Sequence, residues 1–166
     1  MQGKIRRHQP VPFLGHGKII IGENVNFGFN PSPYLYSGYM HIEARNHMLE
    51  IVIGDNCWLN NNCVIISEGS RIEIGTHCLF GTNVEIYDSD FHDLNPKKRL
   101  IGGGTVKIGP VRIGKNVFIG SNGRILKDVT IGDNSVIANS SVVVHDIPAN
   151  VIAGGNPAQV LRSLLD

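Results

Sequence analysis

One segment of the sequence places a histidine between two carboxylates. His92 lies in SDFHDLNPKKR, after Asp90 and before Asp93, and Arg99 closes the segment. An imidazole has an unperturbed pKa of about 6.5, so near neutral pH it can accept the proton of a reacting hydroxyl group. His92 is therefore the candidate general base. Asp90, Asp93 or a backbone carbonyl could orient its ring, and the sequence leaves these three open.

The elements that must position this histidine are encoded by a repeat of six residues. Each hexad opens with isoleucine or a close substitute, often followed by glycine, two polar residues and a small or branched residue. From residue 113 onward the leading positions are Ile113, Ile119, Ile125, Ile131, Ile137 and Val143. A period of six fits neither an α-helix nor simple strand alternation, and it is typical of a solenoid of short parallel strands.

Three hexads make one triangular coil of such a solenoid, so every third leading residue should stack in one column. The expected pairs are Ile113 with Ile131, Ile119 with Ile137, and Ile125 with Val143. Gly, Asn and Asp at the following positions suit tight corners with left-handed backbone dihedrals. The repeat therefore predicts a single all-β domain over residues 1–166.

Three cysteines fall on the fifth position of a hexad, where a small apolar side chain is needed. They are Cys57, Cys63 and Cys78, and no CxxC motif occurs. Core packing explains them better than metal binding or a disulfide framework. No metal is expected, and free thiols indicate a reducing compartment.

Three segments depart from the repeat. Residues 1–17 are predicted to be an irregular N-terminal cap, and residues 87–112 an extruded loop that carries His92. Long loops in compact domains are usually functional or disordered, and we favour function here, with the glycines at 102–104 as a hinge. Asn156 and Pro157 suit the first positions of a helix, so a short C-terminal helix is predicted over 156–166.

The hexads and the segment VRIGKNVFIGSNGRILKDVTIGDNSVIANSS, which begins at Val111, resemble the left-handed parallel β-helix acyltransferases of the hexapeptide family. The chain is most similar to the galactoside and maltose type of sugar O-acetyltransferase. The resemblance implies a left-handed coil, acetyl-CoA as the acetyl donor, a sugar or polysaccharide precursor as the acceptor, and a homotrimer. It also implies that His92, which follows a regular coil, is the catalytic base.

The same resemblance implies a set of cofactor-binding residues. Ser121 would line the pantetheine and thioester of coenzyme A, and Asn139 would continue this slot in the next coil. Phe118 stands where the family commonly has tryptophan. Lys127 and Arg162 would contact phosphates, because a Lys or Arg side chain is well suited to an anion.

Departures from the family pattern place more weight on those two cations. Val144 and His145 stand where a Thr-Lys pair is usual, and Gln159 stands where arginine is frequent. For the acceptor, Asn62 resembles the acceptor-binding asparagine of the galactoside-type enzymes. Asn83 is a neighbouring alternative, although asparagine is also what corner geometry requires. Asp90, beside His92, is the third candidate for acceptor binding.

Composition excludes some classes of function. Fifteen basic residues balance fourteen acidic ones, which gives no broad footprint for nucleic acid. The sequence has no apolar run long enough to span a membrane and no hydrophobic signal segment, so a cytoplasmic enzyme without stable membrane insertion is expected.

Two other functions are compatible with the repeat. A γ-type carbonic anhydrase has a similar coil but needs three histidines for zinc. His77 and His92 could contribute, yet no HxxxxH motif occurs. A noncatalytic β-helix scaffold would keep the hexads, but it would not need a loop that presents a histidine.

Overall fold

The computed structural model describes residues 4–101 and 104–165 of the 166-residue chain. Within those residues the chain forms nineteen β-strands and no helix. The strands build three sheets, here called A, B and C, which form the three sides of a left-handed β-helix. The all-β parallel solenoid predicted from the hexads is confirmed.

Sheet A has eight strands. In spatial order they are β1 (Ile5–Arg7), β4 (Val25–Phe27), β7 (Trp58–Leu59), β10 (Leu79–Phe80), β13 (Phe118–Ile119), β16 (Val136–Ile137), β18 (Val151–Gly155) and β19 (Ala158–Ser163). All neighbours in this sheet are parallel except β18 and β19, which are antiparallel.

Sheets B and C supply the other two sides. Sheet B contains β2 (Phe13–Gly15), β5 (His41–Ala44), β8 (Val64–Ser67), β11 (Glu85–Tyr87), β14 (Arg124–Ile125) and β17 (Val142–Val143). Sheet C contains β3 (Lys18–Ile21), β6 (Glu50–Ile53), β9 (Arg71–Ile74), β12 (Val111–Ile113) and β15 (Val129–Ile131). The chain passes from A to B to C in each coil, and we name the A/B, B/C and C/A corners after the sheets that they join.

The stacking of the leading residues agrees with the repeat. The structure pairs Ile113 with Ile131, Ile119 with Ile137, and Ile125 with Val143. These side chains are almost completely buried and belong to one continuous core. Burial of each such side chain stabilises the fold by about 1.5–3 kcal/mol. The three cysteines lie in the same core, as predicted.

The C/A corner shows how the polar hexad positions are used. One residue in each coil has a left-handed backbone with φ between 55° and 62°. These residues are Asn24, Asn56, His77, Asn116, Asn134 and Asn150. Their side chains form a ladder along the coil, in which Asn116 donates to Asn134 and Asn134 donates to Asn150. His77 occupies one step of this asparagine column.

The N-terminal segment is more regular than predicted. Strands β1 and β2 pair in parallel with β4 and β5, so the first coil already begins at Ile5. The prediction of an irregular cap over residues 1–17 is therefore wrong, although residues 1–3 lie outside the described part. Ile5 and Phe13 supply the partly buried apolar contacts that the broken hexad pattern hid.

The C-terminal segment is a β-hairpin, and the prediction of a helix over 156–166 is wrong for its described residues. Strand β19 (Ala158–Ser163) pairs antiparallel with β18, and Gly155, with φ of 107°, lies at the turn between them. Val160 and Leu161 are exposed instead of turned inward. Pairing with β18 satisfies the backbone of the last sheet A edge, which a helix could not do.

The extruded loop is confirmed and leaves the coil at the B/C corner. Strand β11 ends at Tyr87 and β12 begins at Val111, so the insertion spans residues 88–110. Gly102 and Gly103, part of the predicted hinge, lie outside the described residues. We call residues 88–110 the histidine loop.

Candidate active site

The histidine loop is attached to the coil by a buried aspartate. Asp88 is fully buried, and its two carboxylate oxygens accept hydrogen bonds from the Ser67 hydroxyl and from the backbone N–H groups of Glu68, Gly69 and Ser70. The Asp88 carbonyl accepts the Gly109 N–H. One side chain thus fastens the start of the loop to the corner of the previous coil, while its backbone holds the end of the loop.

The next residues of the loop are also held in place. Ser89 and Ile108 form an antiparallel bridge, and the Asp90 N–H donates to the Lys107 carbonyl at 3.0 Å. The Asp90 carboxylate forms an ion pair with Lys127, with 2.5 Å between Oδ1 and Nζ. Lys127 comes from the B/C corner of the following coil. Two residues for which we predicted separate binding roles therefore contact each other.

The anchored start of the loop presents His92 to solvent. The backbone N–H of His92 donates to the Asp90 carbonyl at 2.7 Å, and its side chain is exposed. Phe91, just before it, has a left-handed φ of 59°, with its ring against Tyr87 and beneath the Arg45 guanidinium. This packing fixes the direction in which the chain leaves Phe91 and so places His92 outward.

Neither flanking carboxylate reaches the His92 imidazole. Asp93 accepts the N–H groups of Asn95 and Thr105 and so braces the loop across its width. Asp90 is taken by Lys127. Among the described residues no hydrogen bond involves the His92 ring. Arg99 joins His92 in lining a small pocket of about 110 Å³, and its guanidinium donates to the Leu94 carbonyl at 3.0 Å.

The predicted cofactor residues lie on sheet A and its A/B corner, apart from Lys127. Phe118 faces outward from β13 and Arg162 is exposed on β19. Register pairs Phe118 with Val136, Val136 with Ile152, and Ile152 with Arg162. These residues form an apolar row that ends at the Arg162 cation. Three strand spacings place Arg162 about 14 Å from Phe118.

Ser121 and Asn139 follow one another at the A/B corner. The Ser121 carbonyl accepts the Ser140 N–H at 2.8 Å, while its hydroxyl accepts the Thr82 N–H at 3.1 Å. Glycine is required beside Asn139, because a Cβ on Gly120 would stand 2.7 Å from the Asn139 backbone nitrogen. The corner therefore presents two polar side chains in adjacent coils, as the predicted cofactor slot requires.

The acceptor candidates have structural tasks at the same corner. Asn62 and Asn83 both have left-handed backbones, with φ of 61° and 56°. Asn62 exchanges hydrogen bonds with the buried Gln9, while Asn83 donates to Asn122. Corner geometry alone accounts for both asparagines, and their role in acceptor binding stays a prediction.

Comparison with known proteins decides the family. Residues 110–145 match the bacterial transferase hexapeptide family, described as six repeats. The galactoside O-acetyltransferase of Escherichia coli (strain K12) is 40% identical to this chain in a match that covers 90% of this chain and 80% of that enzyme. The chain belongs to the hexapeptide-repeat acetyltransferases.

Other members of this family support the assignment. The galactoside O-acetyltransferase of Lactococcus lactis subsp. lactis is 38% identical over 146 residues, which cover 88% of this chain and 63% of that enzyme. A hexapeptide-repeat acetyltransferase of Vibrio cholerae O1 biovar eltor, solved with acetyl coenzyme A, has a TM-score of 0.62 and 30% identity. That match covers 93% of this chain and 72% of the other. The chain spans 55% to 80% of the length of four curated relatives that it matches.

Sequence reasoning missed one feature of this hexapeptide-repeat acetyltransferase. Phe29, Trp58 and Leu79 line an apolar pocket of about 320 Å³ on the outer face of sheet A, with Asn60 at its rim. The ring of Phe29 meets that of Trp58 edge to face at 5.7 Å. The signal was present in the sequence, because Trp58, Leu79 and Phe118 each precede a leading residue at a position that faces solvent.

The described residues of this chain contain neither a metal-binding group nor a membrane-spanning helix. No three His, Cys, Asp or Glu side chains within residues 4–101 and 104–165 come together as a metal-binding group. The same residues contain no helix of the length and hydropathy needed to cross a membrane.

Proposed function

We propose that the chain transfers an acetyl group from acetyl-CoA to a hydroxyl of a sugar or polysaccharide precursor. The observation that carries this proposal is the exposed imidazole of His92 on an anchored loop, in a chain whose relatives include galactoside O-acetyltransferases. An imidazole that is free of intramolecular partners can receive the proton of an incoming hydroxyl.

In the proposed reaction the acceptor hydroxyl oxygen attacks the thioester carbonyl carbon. His92 takes the hydroxyl proton as the carbon–oxygen bond forms, and the carbonyl oxygen becomes an oxyanion. Collapse of this intermediate breaks the carbon–sulfur bond, and the leaving thiolate receives the proton from His92. The products are the acetyl ester and free coenzyme A, so no metal or redox partner is needed for the balance.

The cofactor would lie along sheet A and its A/B corner. Phe118 offers an apolar surface for the pantetheine or the adenine ring, and Arg162 at the end of the same row offers two donors to a phosphate. Ser121 and Asn139 would line the thioester end. Asn62 and Asn83, two and one coils earlier than Ser121 at this corner, would meet the acceptor.

We further propose that each site is shared between two copies of the chain in a homotrimer. His92 leaves the coil at the B/C corner, whereas Ser121 and Asn139 lie at the A/B corner, so sheet B separates them. A neighbouring copy can bring its B/C corner to this A/B corner, and threefold symmetry would repeat the arrangement. Exposed Trp58 and Leu79 on sheet A supply apolar surface for such contacts. Three buried free thiols support a reducing, cytoplasmic location.

The test of the proposed activity is thiol release from acetyl-CoA against a panel of sugars and nucleotide sugars. His92→Ala should lower kcat by about 10²- to 10⁴-fold, the usual contribution of a general base. It should leave the unfolding midpoint unchanged, because the side chain is exposed. His47→Ala is the matched control, since His47 is also exposed and lies outside the loop. Full acceptor-dependent turnover in His92→Ala would refute the catalytic role.

Mixing two inactive variants tests the shared site. His92→Ala removes the base, and Asn139→Trp should block the cofactor slot at an exposed position. If each site combines residues of two copies, refolding the variants together restores part of the activity, because some sites then contain both wild-type residues. If each site lies within one chain, the mixture stays inactive. Native mass spectrometry of the same samples reports the number of copies.

A further inference from the structure

We infer that the ion pair between Lys127 and Asp90 sets the orientation of the histidine loop and so positions His92. Lys127 is then not a ligand of the cofactor phosphates, and Asp90 is not a ligand of the acceptor. This inference rests on the proposed function for its kinetic consequence, but its structural part can be measured on the resting protein.

The two charges are largely withdrawn from solvent. The Lys127 side chain is 22% exposed and that of Asp90 is 19% exposed, with 2.5 Å between Nζ and Oδ1. The second carboxylate oxygen of Asp90 is buried and has no hydrogen-bond partner among the described residues. Lys127 is therefore the group that compensates the Asp90 charge. An amine committed in this way would have to break a short ion pair before it could bind a phosphate.

The backbone of Asp90 connects this ion pair to the proposed base. The Asp90 carbonyl accepts the His92 N–H at 2.7 Å, and the Asp90 N–H donates to Lys107 on the returning arm of the loop. Lys127 belongs to the next coil, one layer above the loop. It therefore ties Asp90, and through it His92, to a rigid part of the solenoid.

The chain contains a matched control on the same two coils. Arg124 on β14 and Glu85 on β11 form an ion pair with two hydrogen bonds, at 2.9 and 3.3 Å. Both side chains are more exposed than those of Lys127 and Asp90, and neither belongs to the loop. Arg124→Met removes a cation that joins the same coils but does not touch the loop. Any effect specific to Lys127→Met must then arise from the loop.

Kinetics with two donors separate positioning from phosphate binding. Lys127→Met should lower kcat by about 10- to 100-fold, because a base displaced by about 1 Å loses that much, and KM for acetyl-CoA should stay within about twofold. The loss should be the same with acetyl-pantetheine, which has no nucleotide. Asp90→Asn should show the same loss, the double variant should lose no more than either single one, and Lys127→Arg should recover part of the activity.

The contrary result is equally clear. If Lys127 binds a phosphate, Lys127→Met raises KM for acetyl-CoA while its activity with acetyl-pantetheine equals that of the wild type. That outcome would overturn the inference and leave the proposed acetyl transfer intact.

Amide hydrogen exchange tests the positioning without any substrate. In Lys127→Met the amides of Asp90 and His92 should exchange about tenfold faster or more, since a buried charge loses its partner. The Arg124→Met control should leave them unchanged. Unchanged exchange at both amides in Lys127→Met would refute the inference, even if the wild type proved inactive toward every acceptor and the proposed function had failed.

Discussion

The C/A and B/C corners of this β-helix both join two of its three sheets, but they differ in regularity. At the C/A corner every coil uses a left-handed residue at the same position, and the asparagine column links the coils through side chains. At the B/C corner the connection ranges from the short turn at 126–128 to the histidine loop. The comparison shows that one corner maintains the repeat, which leaves the other free to carry insertions.

A substitution in the core that both corners enclose should lower the free energy of unfolding most. Ile119→Ala removes a fully buried side chain stacked on Ile137 and should lower the free energy of unfolding by about 4 kcal/mol through lost burial and an unfilled cavity. Urea denaturation followed by circular dichroism measures this. Thr130→Ala on the solvent side of sheet C is the control and should change stability by less than about 0.5 kcal/mol. Equal effects would contradict the inward stacking of the hexad leads.

At the irregular B/C corner the free energy of unfolding should depend almost as strongly on one side chain, that of Asp88. Asp88→Ala leaves the partly buried N–H groups of Glu68, Gly69 and Ser70 without an acceptor, and it should cost about 3 kcal/mol of folding stability. Asp133→Ala, which removes an exposed cap on the Lys115 N–H at the regular corner, should cost about 1 kcal/mol or less. A smaller loss for Asp88 than for Asp133 would show that the loop is not fastened through its aspartate.

The regular corner can be improved where it departs from its own pattern. His77→Asn restores the residue type that best tolerates a left-handed backbone and should raise the free energy of unfolding by about 0.5–1 kcal/mol. The reciprocal change, Asn134→His, should lower it by a similar amount. Thermal unfolding of the two variants beside the wild type measures both. The interpretation fails if both variants shift the midpoint in the same direction.

A smaller effect is expected at the start of the irregular corner. The hydrogen bond from His41, aided by the Arg45 charge, lowers the pKa of Glu43 below its ordinary value of 4.5. A lowered pKa in the folded state adds stability above pH 4.5 and loses it as the pH falls through the folded pKa. Glu43→Gln should therefore flatten the acid limb of a stability curve measured between about pH 2.5 and 6, by about 0.5 kcal/mol or less for a surface pair. Parallel curves would exclude the contribution.

The part of the fold that follows from backbone repetition was predictable. Hexad leads such as Ile113 and Ile131 gave the stacked pairs, because a period of six defines both strand and corner. The first coil was missed because Ile5 and Phe13 contact the core outside any clear hexad. The hairpin was missed because Asn156 and Pro157 suit a helix start and a tight turn equally well, and only the open edge of β18 decides between them.

The candidate site was predictable to a smaller extent. His92 could be singled out because a histidine in a long loop at the end of a coil is unusual in so regular a chain. The ion pair of Asp90 with Lys127 could not be predicted, because the two residues are 37 positions apart in the sequence. They lie in adjacent coils only because most of the intervening residues form the histidine loop, which is not part of the coil. The outward row that includes Trp58 and Phe118 was visible in the hexads but resembled ordinary strand residues.

The buried cysteines affect how the proposed transfer can be assayed. Burial raises the pKa of the Cys63 thiol to about 12, the Cys78 sulfur together with burial raises that of Cys57, and the hydrogen bond with Cys57 lowers that of Cys78. All three sulfhydryls are completely buried, so they should not react with an aromatic disulfide dye as long as the coil is intact. Colour formation in the native protein would then count released coenzyme A alone, and a delayed second rise would signal that the solenoid had opened.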